Sequence, residues 1–271
     1  MKNYEQQYAE LVAEVLTHGE KRTTRNSETL SLFGKSITLY DTHNVAPLLV
    51  GRRIFHKGVF GELAAMLRGP KTVADFEQWG CNYWKQWANE DGSINVDYGN
   101  AWLKNGQIDH LKHCLANNPT DRRMIINGWE PENLPDLSLP CCHYSYQFYV
   151  RKGQYLDMIW NQRSADLMIG VPSDALFAAA WLKAIANEFG YTAGNVVMHF
   201  GDTHIYSSHI VGAHKYFNNA RYLQLVNSPS NIVHWTWVGE SKKDFLLFEP
   251  SDILINDGYW PLENIKFELI S

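Results

Sequence analysis

Tyr4, Tyr8, Leu11, Val12, Val15 and Leu16 recur at helical spacing, and Gly19 lies just past them as a stop. Leu30 to Tyr40 reads as two short strands broken at Gly34. Val59 to Leu67 is apolar and helical, with one acid, Glu62, inside it. A buried carboxylate is costly unless paired or protonated, so Glu62 either faces solvent or has a reason to be inside. Ile108 to Leu115 reads as a helix. Pro119-Thr120-Asp121 makes a turn, and Arg122-Arg123 leads into the strand Met124-Ile125-Ile126. The segments Cys142 to Val150 and Tyr155 to Trp160 predict a hairpin across Arg151-Lys152-Gly153-Gln154. Ala175 to Phe189 is apolar nearly all round, which predicts a buried helix. Val196 to Phe200 reads as a strand, followed by the polar cluster Gly201-Asp202-Thr203-His204-Ile205-Tyr206. Ile232 to Val238 and Phe245 to Phe248 read as late strands. There is no internal repeat, low-complexity run or linker, so one α+β domain over residues 1–271 is the economical reading.

Composition narrows the function. Hydrophobic residues make up 45% and charged residues 20%, as expected of a globular chain with a core. A formal net charge of -5 argues against a surface built for nucleic acid. It leaves room for a local basic pocket, for which Arg122, Arg123 and Arg163 are candidates. The many Trp, Tyr and Phe residues supply flat faces for a ring substrate, although most such rings belong in cores. Cys81, Cys114, Cys141 and Cys142 show no metal-ligand spacing, so no metal is expected. No apolar run reaches the length of a membrane span, and no apolar N-terminal segment follows the start. A cytoplasmic, reduced setting without a membrane partner is the expectation.

Cys142 is the leading candidate for chemistry. It lies in Leu139-Pro140-Cys141-Cys142-His143, after a proline and at the mouth of a strand. Neighbouring strand residues point to opposite faces, so His143 cannot readily be its base, which argues against a cysteine hydrolase. Arg163, in Gln162-Arg163-Ser164-Ala165-Asp166, is a cation ready to hold an anion near the thiol. A nucleophile beside an anion clamp suggests covalent chemistry on a phosphorylated small molecule. The bland alternatives are a small buried hydrophobe for Cys142 and a solvated turn for Arg122-Arg123.

Six segments in order resemble thymidylate synthase and its hydroxymethylase relatives. They are Thr29-Leu30-Ser31-Leu32-Phe33-Gly34, Trp84-Lys85-Gln86-Trp87 before Tyr98-Gly99, Asp121-Arg122-Arg123, Pro140-Cys141-Cys142-His143, Gln162-Arg163-Ser164-Ala165-Asp166 and Gly201-Asp202-Thr203-His204-Ile205-Tyr206. The resemblance covers nearly the whole chain. It implies a thymidylate synthase-like fold, a mixed sheet covered by helices, with two sheets packed back to back in a homodimer. It implies one-carbon transfer from 5,10-methylenetetrahydrofolate to C5 of a pyrimidine nucleotide, begun by a thiolate adding at C6. Cys142 matches that nucleophile, and Cys141 is a bystander. Arg163 and Ser164 match phosphate ligands, as do Arg122 and Arg123, which cross from the partner subunit; guanidinium suits a phosphate dianion. His204 and Tyr206 match the pair that bonds the ribose. Tyr98 resembles the tyrosine that helps remove the C5 proton through water. Glu62 resembles the glutamate that manages protons at the pyrimidine edge. Trp84 and Asp166 match folate contacts, and Arg52 falls where the family keeps a lysine near the folate tail.

Two departures matter. The family's first phosphate loop is glycine-rich, whereas here it reads Arg22-Thr23-Thr24-Arg25-Asn26-Ser27-Glu28-Thr29. Arg25 is taken as the phosphate ligand, with Arg22 the alternative. The methylating synthases read uracil with an asparagine after Gly-x-Pro; this chain has Gly170-Val171-Pro172-Ser173-Asp174. A protonated carboxyl can donate to cytosine N3 and accept from its 4-amino group, and an ionised one can bind the N3-protonated ring. An ionised carboxylate repels uracil O4. Asp174 therefore points to a cytosine nucleotide, as in the deoxycytidylate hydroxymethylases of the superfamily. Its plain alternative is an N-cap for a helix starting at Ala175. Hydride from the folate would give a methyl product and water a hydroxymethyl one. Hydroxymethylation of dCMP or CMP is the first reading. Methylation of dCMP or dUMP is the second, and a non-catalytic nucleotide-binding relative the third.

Overall fold

The computed structural model describes residues 2–25, 27–226 and 232–270. In chain order the elements are α1 (Tyr4–His18), β1 (Glu20–Thr23), β2 (Glu28–Leu39), β3 (Val45–Ala46), α2 (His56–Met66), α3 (Val73–Glu77), α4 (Gln107–Asn117), β4 (Ile125–Asn127), β5 (His143–Arg151), β6 (Tyr155–Asp166), α5 (Gly170–Phe189), β7 (Thr192–Tyr206), α6 (Ile210–Leu225), β8 (Val233–Trp237) and β9 (Ile253–Ile255). A six-stranded sheet runs β1-β2-β7-β6-β5-β4, and a small sheet runs β3-β8-β9. β6 and β7 are parallel; the other neighbours in the large sheet are antiparallel. This is the expected α+β mixed sheet with helices around it.

The core lies between this sheet and the helices. α5 packs against β6, β7 and α2, and Ala175 to Ala186 are buried throughout. Small alanines let α5 approach the strands, while Trp181 stacks on Trp102 with ring centroids 4.5 Å apart. Each large apolar side chain fully buried in this way contributes about 1.5–3 kcal/mol. The chain enters α5 from β6, so every residue of that junction is held at the edge of the core.

The β5–β6 turn is as expected. Lys152 and Gly153 both have positive φ, and the Gln154 N–H donates to Arg151 O, as a primed hairpin turn requires. Four expectations need correction. Leu30 to Tyr40 is not two strands: β2 keeps one register with β7 on both sides of Gly34, whose positive φ lets the strand continue. The polar cluster from Gly201 to Tyr206 does not follow a strand but completes one, because its residues pair with both β2 and β6. Phe245–Leu247 is a short 3-10 helix, capped by Asp244 on the Leu246 N–H. α5 starts at Gly170, not Ala175, so Asp174 is inside the helix.

The second face of the large sheet is less covered. On β6, Leu156, Met158, Trp160 and Gln162 are buried, while Ile159 and Arg163, at alternate positions, are exposed. Phe33 and Tyr149 are also exposed, at 80% and 60%. Among the described residues, no helix is long and apolar enough to cross a membrane.

Candidate active site

The Cys142 backbone is held from two sides. Its N–H donates to the Tyr98 hydroxyl, and its carbonyl accepts the Arg163 N–H at 2.8 Å. Gly99 fixes how Tyr98 arrives: at φ +73°, a Cβ there would lie 1.8 Å from the Met66 carbonyl oxygen. The Arg163 guanidinium donates from Nε to Cys141 O at 2.9 Å and from Nη2 to Pro140 O at 3.0 Å. It also lies over the Trp129 ring. β6 thereby clamps the loop that carries the thiol. Gly201 on β7 makes room for this, since a Cβ there would lie 2.6 Å from Arg163 O.

Burial pushes the Cys142 thiol up, Arg163 and Tyr98 pull it down, and Asp174 and Asp166 push it up. The net direction is upward. The expected help from a cation is present, but burial outweighs it. His143 points elsewhere. Its Nδ1 meets the Tyr146 hydroxyl, its ring packs on Trp160 with centroids 4.2 Å apart, and burial lowers its pKa to about 3. It is a neutral core residue, as the opposite-face argument requires. Cys141 is buried, donates to Gly128 O at 3.3 Å, and is pushed up to about 12 by burial.

Two carboxyls with raised pKa values are linked to the thiol: Asp174 acts on Cys142, and Glu62 acts on Asp174. Glu62, on α2, accepts from the Tyr83 hydroxyl and from Trp84 Nε1, each at 2.8 Å. Burial raises it to about 7 against these two bonds. The solvent-facing alternative for Glu62 fails, because both oxygens are engaged by ring donors. Asp174 accepts from Gln162 Nε2 at 2.7 Å. Burial raises it to about 8, with the charges of Glu62 and Asp166 adding and the Gln162 bond opposing. The helix-cap alternative for Asp174 fails too, since the residue lies past the first turn and its bond goes to a side chain. α5 has no side-chain cap; Asp166 instead braces the turn before it, its Oδ1 accepting the N–H groups of Met168 at 2.8 Å and Ile169 at 3.3 Å.

His204 and Tyr206 lie two apart on β7, on one face, with ring centroids 5.0 Å apart. Burial alone would lower the His204 pKa, but the Asp202 bond and the charges of Asp166 and Asp202 raise it overall. Asp202 is a hub: it also accepts from Ser31 at 2.6 Å and from Arg22 at 3.1 Å. Burial pushes Tyr206 up to about 12, and Arg25 is close enough to lower it. Of the two loop arginines, Arg22 is thus bonded to Asp202, while the charge of Arg25 acts on Tyr206. Asn26 of that loop lies outside the described residues. Ser164 pairs with Asp202 across β6 and β7.

Among the other sequence candidates, Trp84 and Arg52 border this cluster. Trp84 is only 3% exposed; one face stacks on Phe76, and its N–H goes to Glu62. Arg52 is also buried, donates to Met168 O, and lies over the Phe267 ring. Its Nε has no partner among the described residues. Arg122 and Arg123 stand before the edge strand β4, with Arg123 exposed and paired to Asp121. Neither is among the groups acting on Cys142.

Sequence reasoning assigned no role to Gln162, Tyr83 or Asp202. Gln162 was findable, since period-two alternation from Trp160 places it inward. Tyr83 and Asp202 had no comparable signal.

The site brings a thiol, an arginine clamp, two protonatable carboxyls and a His–Tyr pair to the sheet ends around the start of α5. That is a constellation for adding a nucleophile to a ring and moving protons at its edge. A family model described as thymidylate synthase matches residues 6–271. The chain belongs to the thymidylate synthase family, whose chemistry is folate-dependent one-carbon transfer to C5 of a pyrimidine nucleotide.

Proposed function

We propose that this protein hydroxymethylates C5 of a cytosine nucleotide, dCMP or CMP, as a single catalytic domain in the cytoplasm. The observation that carries the cytosine reading is Asp174, a carboxyl held by Gln162 where the methylating synthases place an amide. With its proton, Asp174 donates to N3 and accepts from the 4-amino group.

Cys142 is the nucleophile that adds to C6 and turns C5 into an enamine-like centre. Arg163 and Ser164 hold the phosphate, with Arg25 at the loop. His204 and Tyr206 bond the ribose. Methylenetetrahydrofolate supplies the one-carbon unit as cosubstrate. Asp166 suits its pterin edge, because its two bonds to the turn both go to Oδ1 and leave Oδ2 over. Trp84 suits it less well as a stacking face, since Phe76 already covers one side; its clearer task is to hold Glu62. Arg52, in place of the family lysine, reaches the folate tail only if its burial changes. Glu62, with a pKa near neutrality, can take or give a proton at the N4 edge, and Tyr98 can relay the C5 proton through water. Loss of the C5 proton expels tetrahydrofolate and leaves an exocyclic methylene; water adds to that methylene, and the Cys142 thiolate leaves C6 to release the hydroxymethyl product.

A homodimer fits the exposed face of the large sheet. Arg163 lies on that face with Ile159, so the partner's arginine pair at positions 122 and 123 could reach the same phosphate.

One observation favours a second reading. A neutral carboxyl can also donate to uracil O4 and accept from N3–H, so Asp174 excludes uracil only when ionised. Methylation of dUMP is therefore the competing activity, with methylation of dCMP between the two. Tritium release from 5-tritiated dCMP, CMP and dUMP separates them by substrate. Release from the cytosine nucleotides supports the proposal; release from dUMP alone overturns it.

A further inference from the structure

Three donors lie together on α4 and the turn that follows it, none of them among the groups acting on Cys142. His110 and Cys114 are one turn apart on α4, and Asp121 follows in the turn before Arg122. Their ligand atoms all lie within 4.8 Å of one another. The spacing of the four cysteines hid this group, because only one cysteine takes part.

His110 Nε2 is 3.6 Å from Cys114 Sγ. A tetrahedral zinc site with its usual Zn–S and Zn–N lengths has an S···N edge of about 3.6 Å. The i, i+4 spacing on a helix sets two ligands on one face at that separation. His110 is exposed and gives access from solvent, while the Cys114 thiol is buried beneath it.

The Asp121 carboxylate is crowded. Oδ1 accepts from Arg123 N at 2.8 Å and Nε at 3.0 Å; Oδ2 accepts from Arg123 Nη2 at 2.6 Å and from Asn118 Nδ2 at 3.2 Å. A carboxylate offers about four lone-pair sites, so one donor must give way. Asn118, the longest of the four, is the one to leave.

We propose that His110, Cys114 and Asp121 form a binding site for a divalent ion of the zinc type. The Cys114 thiol loses its proton to solvent as the metal–sulfur bond forms. Thiolate and carboxylate together balance the two positive charges, the imidazole binds as a neutral ligand, and water fills the fourth position. The ion ties the end of α4 to the turn that carries Arg122 and Arg123. This site does not depend on the substrate reading above.

The test is a titration of the metal-free, reduced protein with Co2+, read by absorption. Wild type should take up one ion with a sulfur-to-cobalt charge-transfer band and strong visible bands of tetrahedral cobalt. Excess Zn2+ should erase both. His110→Ala, at an exposed position, should lose the bands while keeping the wild-type melting profile without metal. Cys114→Ser should lose the charge-transfer band, and Cys142→Ala should keep it. No charge-transfer band in wild type overturns the proposal. So does a band that survives His110→Ala, or one that disappears in Cys142→Ala.

Discussion

Gln162 Nε2 donates to Asp174 Oδ2 at 2.7 Å, while Gln162 Oε1 accepts from Trp160 Nε1 at 3.1 Å. An indole N–H only donates, so it orients the glutamine amide and makes Asp174 Oδ2 an acceptor. The proton of a neutral Asp174 is then directed to Oδ1. In Asp174→Asn the amide oxygen can still accept from Gln162, and the amide nitrogen gains two donors suited to uracil O4. The ratio of kcat/KM for dCMP to that for dUMP should fall at least about a hundredfold, as expected when a buried polar edge is mismatched. Steady-state kinetics on both nucleotides checks this, and an unchanged ratio removes Asp174 from base reading.

The same carboxyl makes stability depend on pH. Asp174 has an ordinary pKa of 3.8 and is raised to about 8 in the fold, chiefly by burial. Between these values the folded protein holds a proton that the unfolded chain has released. Stability from this group therefore falls as pH rises from about 4 to about 8 and levels off above. Asp174→Asn lacks this loss. Its denaturation midpoint relative to wild type should increase from pH 5 to pH 8; a constant difference would show that Asp174 is ionised in the fold.

Glu62 is the group placed to titrate near neutrality, at about 7. Glu62→Gln keeps an oxygen for Trp84 Nε1 but cannot exchange a proton. Its kcat should drop by about a hundredfold to ten-thousandfold, the usual range for lost acid–base catalysis. The remaining rate should lack an ionisation near pH 7. A kcat pH profile that keeps that limb assigns it to another group.

Cys142 and Cys141 should separate cleanly. Cys142→Ser should abolish turnover and the covalent adduct seen by mass spectrometry, and Cys141→Ser should retain both. Arg163→Lys probes the clamp. Lysine cannot copy the two-pronged contact with Pro140 O and Cys141 O, so its charge is no longer fixed where the Arg163 cation lowers the Cys142 pKa. Alkylation of Cys142 by iodoacetamide should be severalfold slower at pH 7 and regain its rate at higher pH.

Much of the fold was legible where periodicity was strong. α1, α4 and the β5–β6 hairpin follow from apolar spacing and a Lys-Gly turn. α6 was not, because its buried residues, Ala213, Tyr216, Ala220 and Leu223, are few and spread among polar ones. The short strand β1 is exposed along its whole length and carries no pattern at all. β7 was cut short at Phe200 because the polar cluster that follows breaks the apolar pattern, although Thr203 and His204 within it are buried. At the site, motif order placed Cys142, Tyr98, Arg163, Glu62 and Asp174 in one neighbourhood. It did not convey that Trp84 and Arg52 are buried, since burial arises from packing partners outside the motifs: Phe76 for one and Phe267 for the other.

The central claim is the identity of base and product, and one measurement reaches both. Purified protein is incubated with methylenetetrahydrofolate and, separately, dCMP, CMP or dUMP, and the nucleotide product is weighed by mass spectrometry while dihydrofolate is followed by absorbance. The account predicts a 5-hydroxymethyl cytosine nucleotide with no rise in dihydrofolate. A methylated product accompanied by dihydrofolate, or turnover of dUMP alone, would contradict it.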